Sequence, residues 1–278
     1  MGFASLGSGS RGNGTIVALH TGQNTRTSTQ QDAHKGSQKL FLVDCGFTLK
    51  QTEARMHRLG LSPGDLDAIF VTHEHADHIG GIAALSHKYK IDVYASYGTL
   101  KHDLKGAVTH AFDGDIPFEV DGVEVNPVRV PHDAKEPTQF VFSDGVERIG
   151  VLSDLGCVTA HVVEQFSNCT HLLLEANHDA HMLRTGGYPP RLKQRVGADY
   201  GHLSNEQAWE LLRKLAQKDL SVVLGHISEQ NNDVNLLRRD FQQFEEHLQM
   251  LAYATQNEGF DWVGARPLTR QISFANLV

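Results

Sequence analysis

Val71-Thr72-His73-Glu74-His75-Ala76-Asp77-His78-Ile79-Gly80-Gly81 is the stretch on which the fold and chemistry of this chain turn. Four potential metal ligands fall within six positions, in the pattern H-x-H-x-D-H. A short apolar run, Ala68 to Val71, leads into them, and a Gly-Gly step follows. Ligands this dense cannot all close around one ion. From an extended or turning backbone His73 and His75 can point one way, and Asp77 and His78 another. Two adjacent cations are the expectation. A solvated polar turn is the plain alternative, but that would call for Ser, Asn and Gly rather than three histidines.

A dinuclear site needs more ligands than one segment supplies, and the ends of apolar runs are where a rigid sheet would present them. Val128-Arg129-Val130-Pro131 ends in His132, Ile149-Gly150-Val151-Leu152-Ser153 in Asp154, and Ser221-Val222-Val223-Leu224-Gly225 in His226. Each is weak alone, because an Asp after a strand is often an ordinary turn. With the first cluster they form a set.

Composition bounds the rest. The chain has 278 residues, 40% hydrophobic, with 26 glycines and 17 histidines, which suits one compact α/β domain over 1–278. No apolar run approaches the roughly 20 residues that span a bilayer, and Met1 to Leu6 lack a basic region ahead of an apolar core. Cys45, Cys157 and Cys169 have no C-x-x-C spacing and are read as small buried hydrophobes in a reducing cytoplasm. The net charge of −8 argues against wrapping nucleic acid by bulk electrostatics. It does not exclude a phosphodiester, since bound divalent cations would make the site locally positive.

Along the chain, strands are expected near 3–6, 15–20, 39–44, 68–71, 91–95, 116–120, 123–130, 138–144, 146–152, 171–175 and 220–225, with a terminal pair around 262–274. Helices are expected over 48–59, 80–88, 159–166, 204–217 and 233–254, the fourth opened by Ser204 with Gln207 three residues later. Residues 21–38 offer almost nothing to bury and read as a flexible hairpin insertion containing a solvated His34. Two mixed halves, each with several strands and flanking helices, predict an αββα sandwich.

At this point the chain resembles the metallo-β-lactamase superfamily. His73, His75, Asp77 and His78 match its first motif in full, and His132, Asp154 and His226 match its later His, Asp and His. The resemblance implies that His73, His75 and His132 hold one metal, that Asp77, His78 and His226 hold the other, and that Asp154 bridges them. Asp44, in Leu42-Val43-Asp44-Cys45-Gly46, matches the acid that orients the cluster. The redox branch carries Glu at the second position of the motif; His75 therefore favours hydrolysis. The ligands are N and O donors, suited to two divalent ions of Zn, Mn or Fe.

Glu175, closing Leu172-Leu173-Leu174, and His202, in Gly201-His202-Leu203-Ser204-Asn205, resemble the Glu and His motifs of the RNase Z and cyclic-phosphodiesterase branches. There the His assists the leaving oxygen and the Glu orients it. A capping or core histidine is the alternative for His202. His178 is placed behind the ligands or on the substrate side. Further likeness lies in Ser5-Leu6-Gly7-Ser8-Gly9-Ser10 with Asn13, in Glu175-Ala176-Asn177-His178-Asp179, in Gly187-Tyr188-Pro189-Pro190-Arg191-Leu192-Lys193, and in Gly225-His226-Ile227-Ser228-Glu229. Together these resemble the YycJ/WalJ-type branch, which implies a 5′-to-3′ DNA exonuclease. Asp77 would accept the proton of the attacking water. Arg184, Arg191, Lys193 and Arg195, in a basic loop, are candidates to track a phosphate backbone, with Ser8 and Asn13 as further substrate contacts. An ordinary solvated loop is the alternative for the basic cluster. Tyr188 and Tyr200 are the only nearby rings, so base-specific reading is not expected. A cyclic nucleotide or ribosyl phosphate diesterase is the second reading. A thioester or lactam hydrolase, and a binding protein that kept the fold, are the remaining alternatives.

Overall fold

Leu172, Leu173 and Leu174 show how the layers arise. Side chains alternate across a strand. Leu172 and Leu174 join a buried cluster with Val162, Phe166, Leu211, Leu212, Leu237 and Phe241 from helices, while Leu173 joins Phe41, Phe70, Phe140, Phe142 and Val223 between two sheets. A strand buried on both faces reads as a continuous apolar run. On the far side, Ile16, Leu42, Ile69 and Val93 pack against Met56, Ile82 and Leu85 of other helices. The layers are therefore helix, sheet, sheet, helix, as expected of the αββα sandwich.

The computed structural model describes residues 1–21, 38–102 and 104–267. The first sheet contains β1 (Gly2–Gly7), β2 (Gly14–His20), β3 (Gln38–Val43), β4 (Ala68–Val71), β5 (Asp92–Ser96) and β6 (Thr109–Phe112), with β14 (Phe260–Gly264) outside β1. The second contains β7 (Phe118–Val120), β8 (Val123–Arg129), β9 (Thr138–Ser143), β10 (Arg148–Leu152), β11 (His171–Glu175), β12 (Ser221–Gly225) and β13 (Met250–Tyr253). Each sheet begins antiparallel and turns parallel: β1 to β3 and then β3 to β6, β7 to β10 and then β10 to β13. Parallel neighbours need crossovers, and helices supply most of them. These are α1 (Leu49–Arg58), α2 (Ala76–Ile79), α3 (Ile82–Tyr89), α4 (Ala160–Phe166), α5 (Ala180–Thr185), α6 (Pro190–Val196), α7 (Asn205–Leu215) and α8 (Val234–Phe241). Ser204 caps α7 in a full capping box with Gln207.

Several expectations are corrected. The helix read over 233–254 ends at Phe241, followed by a 3-10 turn Gln242–Phe244 and by β13. Helix-favouring residues there yield to pairing, because Ser221 to Leu224 of β12 lie beside Met250 to Tyr253 in parallel register. The helix read over 80–88 is found as α3, Ile82–Tyr89, and a separate four-residue helix, α2, lies before it across Gly80-Gly81. The basic loop holds α5, capped by Asp179 Oδ1 accepting from Met182 N at 2.7 Å, and α6, started by Pro190. Of the terminal pair, β14 is present and residues 268–274 lie outside the described ones, as does the insertion apart from Thr21 and Gln38. Cys45 and Cys169 are buried, whereas Cys157 is half-buried; all three are free. Among the described residues no helix is long and apolar enough to cross a membrane.

Candidate metal centre and active site

Every proposed ligand leaves the carboxyl-terminal end of a strand or the short helix beyond one, where an open α/β sheet presents its functional groups. Asp44 follows β3, His73 to His78 follow β4, His132 follows β8, Asp154 follows β10, Glu175 ends β11 and His226 follows β12. Asp44, Asp154 and His226 have φ of 61°, 53° and 52°. Left-handed backbone at three such residues around one cluster costs free energy that the surrounding structure must offset, a sign of function. Gly46 and Gly81 let the chain pass closely over α2. A Cβ on Gly46 would lie 1.8 Å from the Asp77 carbonyl oxygen, and one on Gly81 would lie 1.9 Å from that of Phe47.

Four groups of donors form among the described residues. His73, His75 and His132 converge, with His75 Nδ1 lying 3.0 Å from His73 Nε2 and 3.3 Å from His132 Nε2. Asp77, His78 and His226 form the second group, and Asp154 belongs to the other two, one with His73 and His78 and one with Glu175, His202 and His226. Its Oδ2 lies 2.8 Å from His78 Nε2 and its Oδ1 lies 3.0 Å from His226 Nδ1. The outer nitrogens are spoken for. His78 Nδ1 donates to Asp44 Oδ2 at 2.8 Å, His132 Nδ1 donates to the Gly201 carbonyl at 3.0 Å, and His73 Nδ1 lies 2.9 Å from Thr72 Oγ1. That hydroxyl donates to Asp44 Oδ2 at 2.8 Å, and Thr72 N donates to Asp44 Oδ1 at 2.9 Å.

These contacts test the fit of cations directly. With their outer nitrogens donating, His73 and His132 both turn unprotonated Nε2 lone pairs toward His75 Nδ1, which can donate to only one of them, an arrangement that a divalent ion reconciles. Burial, and then the neighbouring His78, holds His73 well below the usual histidine range; burial likewise lowers His132. His226 Nδ1 is buried and near both Asp154 and Glu175, yet is aligned with neither for N–H donation. The donor set fits divalent cations. Without them, burial opposes charge on His226, but Asp154 and Glu175 outweigh it and push it up to about 10. His78 is raised in the same way, against burial, by Asp154 and Asp44. Asp154, although buried, is held well below the carboxylate range by His226 and His78.

Glu175 is wholly buried. Its Oε1 accepts from His202 Nδ1 at 2.8 Å, and its Oε2 accepts from Leu155 N at 2.8 Å and Leu203 N at 3.3 Å. Burial alone would raise its pKa, but the charge and hydrogen bond of His202, and then His226, lower it to about 2. A carboxylate so fixed turns the far edge of His202 into the cleft. That cleft, of about 410 Å³, is lined by His75, Asp77, Asp133, Asp154, His202 and His226, with Tyr188, Leu192, Arg195 and Val196 opposite.

Other expected residues fall elsewhere. Ser8 is buried, its Oγ accepting from His226 N at 2.8 Å. Asn13 is buried with Nδ2 3.0 Å from His78 Nε2 and 3.4 Å from Asp77 Oδ2. Neither lines the cleft; as substrate contacts they are corrected to supports beneath the ligands. His178 is buried outside all four ligand groups, and burial lowers its pKa. Of the basic cluster only Arg195 reaches the cleft, where its Nε donates to Asp133 Oδ2. Arg184 and Lys193 line a separate shallow depression beside His178, and Arg191 is exposed on α6. The sequence reading missed Thr72, Asp133 and Asn177. Asp133 follows a candidate ligand directly, and Thr72 precedes one, so both carried a positional signal; Asn177, whose Nδ2 donates to the His226 carbonyl at 2.9 Å, was visible only as part of the Glu175–Asp179 motif.

Residues 39–227 match the family described as the beta-lactamase superfamily domain. The exodeoxyribonuclease WalJ of Streptococcus pneumoniae is 37% identical over 213 residues, covering 70% of this chain and 76% of that protein. The exodeoxyribonuclease YycJ of Bacillus anthracis is 33% identical over 238 residues, covering 82% and 89%. The crystal structure of human tRNase Z, short form, superposes with a TM-score of 0.61 over 96% of this chain and all (100%) of that one, at 18% identity, a likeness of fold. The chain therefore belongs to the metallo-β-lactamase superfamily, in the group that includes WalJ and YycJ.

Proposed function

We propose that this protein is a phosphodiester hydrolase that removes nucleotides from a DNA end, 5′ to 3′, as a single domain working in the cytoplasm. The similarity to two exodeoxyribonucleases supports the substrate, and the three free cysteines fit a reducing compartment. His73, His75 and His132 would hold one divalent cation, Asp77, His78 and His226 the other, with Asp154 between them. All donors are N or O, which suits Zn, Mn or Fe. Bound there, two such cations would activate water and draw charge from the phosphate oxygens.

The observation that carries the phosphodiester reading is the Glu175–His202 pair, joined at 2.8 Å in the same cleft as both ligand groups. Departure of an alkoxide from phosphorus needs a proton or a positive charge beside it. His202, held by buried Glu175 through Nδ1, would offer that proton from Nε2. Asp77, whose side chain is 25% exposed at the cleft, would take the proton of the attacking water. Arg195 would exchange Asp133 for a substrate phosphate. A small cyclic phosphate diester is the second reading, favoured by a cleft in the range that encloses one small ligand.

End-labelled DNA, incubated separately with Mn, Zn and Mg, distinguishes the two. A mononucleotide ladder growing from the 5′ end supports the nuclease; inert DNA with turnover of a cyclic phosphate supports the alternative. Full metal-dependent turnover by Asp77→Asn or His75→Ala would refute both.

A further inference from the structure

The wall facing the ligands has a use that metal chemistry does not explain. None of the seven residues of α6 is buried. Leu192 and Val196, four apart and so on one helix face, are half-buried and line the cleft, together with half-buried Tyr188 just before the helix. Apolar side chains left beside a polar centre gain nothing from that centre. Their free-energy gain comes from covering by another apolar surface.

This wall is fixed to the reacting groups. Val196 carbonyl accepts from His202 N at 2.9 Å, and Gly201 carbonyl accepts from His132 Nδ1 at 3.0 Å. Arg195 donates to Asp133, whose Oδ1 lies 3.5 Å from His132 Nε2. α6 is thus tied to the His202–Glu175 pair through its backbone and to one candidate ligand, His132, through the Arg195 side chain and Asp133. A group packed on Tyr188, Leu192 and Val196 would sit at a set distance from the reacting phosphate.

We propose that this wall receives the base of the strand-terminal nucleotide, with the Tyr188 ring as its stacking face and Leu192 and Val196 as its floor. The inference rests on the nuclease reading above. A single ring and two aliphatic side chains carry no donor pattern matched to one base edge, so recognition is of a nucleobase in general, independent of sequence. A cleft of about 410 Å³ admits one such nucleotide and no length of duplex.

The test uses the metal-loaded protein and single-stranded oligonucleotides whose 5′-terminal nucleotide carries either a base or an abasic tetrahydrofuran. Release of that nucleotide is measured for the wild type, Tyr188→Ala, Tyr188→Phe and Leu192→Ala, with bound metal quantified in each. For base-bearing ends Tyr188→Ala should raise KM about five- to tenfold, Leu192→Ala should raise it less, and Tyr188→Phe should restore it. For abasic ends the wild type should already show the weakened KM, and Tyr188→Ala should add nothing. Equal loss on both kinds of end, or no loss on either, overturns the inference while leaving the nuclease reading in place. Failure of the wild type to release nucleotides from either end overturns that reading and the inference with it.

Discussion

Asp44→Asn separates charge from shape at the base of the ligand cluster. Asn tolerates the left-handed φ of 61° found at this position, so the backbone should remain. Asp44 is 2% exposed and accepts three bonds, from Thr72 N, Thr72 Oγ1 and His78 Nδ1, at 2.9, 2.8 and 2.8 Å. Whichever way the new amide turns, its NH₂ faces either the Thr72 N–H or the other two groups. At least one buried donor is then unsatisfied, at about 1–3 kcal/mol. The loss of the carboxylate also removes what fixes the His78 tautomer. Loss of such an outer partner lowers metal affinity about 10- to 100-fold, or roughly 1.4–2.8 kcal/mol. The fall should be larger for the cation held by His78 than for the one held by His73, which Asp44 reaches only through Thr72. Competition against a fluorescent chelator resolves two affinities in the wild type and should show this unequal loss. Wild-type values for both sites in a folded variant would refute the reasoning.

Other outcomes follow from the same geometry. Glu175→Gln should lower kcat about 10²- to 10⁴-fold with little change in KM, and His202→Ala should cost about as much, the double variant adding little because the two act as one unit; additive losses would separate them. In the metal-free protein His226, raised to about 10, carries a proton at pH 7.5, and His78 is shifted in the same direction. Metal binding must displace the His226 proton, so calorimetry in buffers of different ionisation enthalpy should show net proton release, and metal affinity should climb as pH rises toward 10. For folding of the metal-free protein the sign is opposite: the raised His226 contributes stability that is full below its unfolded value near 6.5 and is lost as pH rises through about 10. Arg195→Ala should raise KM for DNA and reduce the salt slope by about 0.7 for single strands; an unchanged slope would remove Arg195 from phosphate binding. Phe70→Ala, in the core between the sheets, should cost about 3–5 kcal/mol in denaturant unfolding without changing metal stoichiometry.

Much of the fold and the candidate ligands could be read from the chain because both follow from short-range pattern. Apolar runs of four to seven residues ending in His or Asp mark strands whose carboxyl ends meet, and seven candidate ligands fall on them or within His73 to His78. What escaped depends on partners distant in sequence. Residues 250–253 look helical alone and become a strand only because β12 has a free side. Ser8 and Asn13 sit in a polar turn that resembles a substrate loop, and only the fold shows that His226 and Asp77 press down on it. The basic segment holds two short helices, and the second, α6, turns Leu192 and Val196 to the site with Arg195 as its one charge there. Asp133 shares a dipeptide with His132, yet its pairing with Arg195 spans 62 residues.

The most direct test of the central claim is a titration of metal-stripped protein with Mn, following nucleotide release from 5′-labelled DNA against equivalents bound. Activity should be absent at the start, rise as the ions bind, and reach its plateau at two per chain, with His75→Ala failing to reach it. Full activity without metal, a plateau at one equivalent, or an undiminished plateau in His75→Ala would contradict a dinuclear centre built on His73, His75, Asp77, His78, His132, Asp154 and His226.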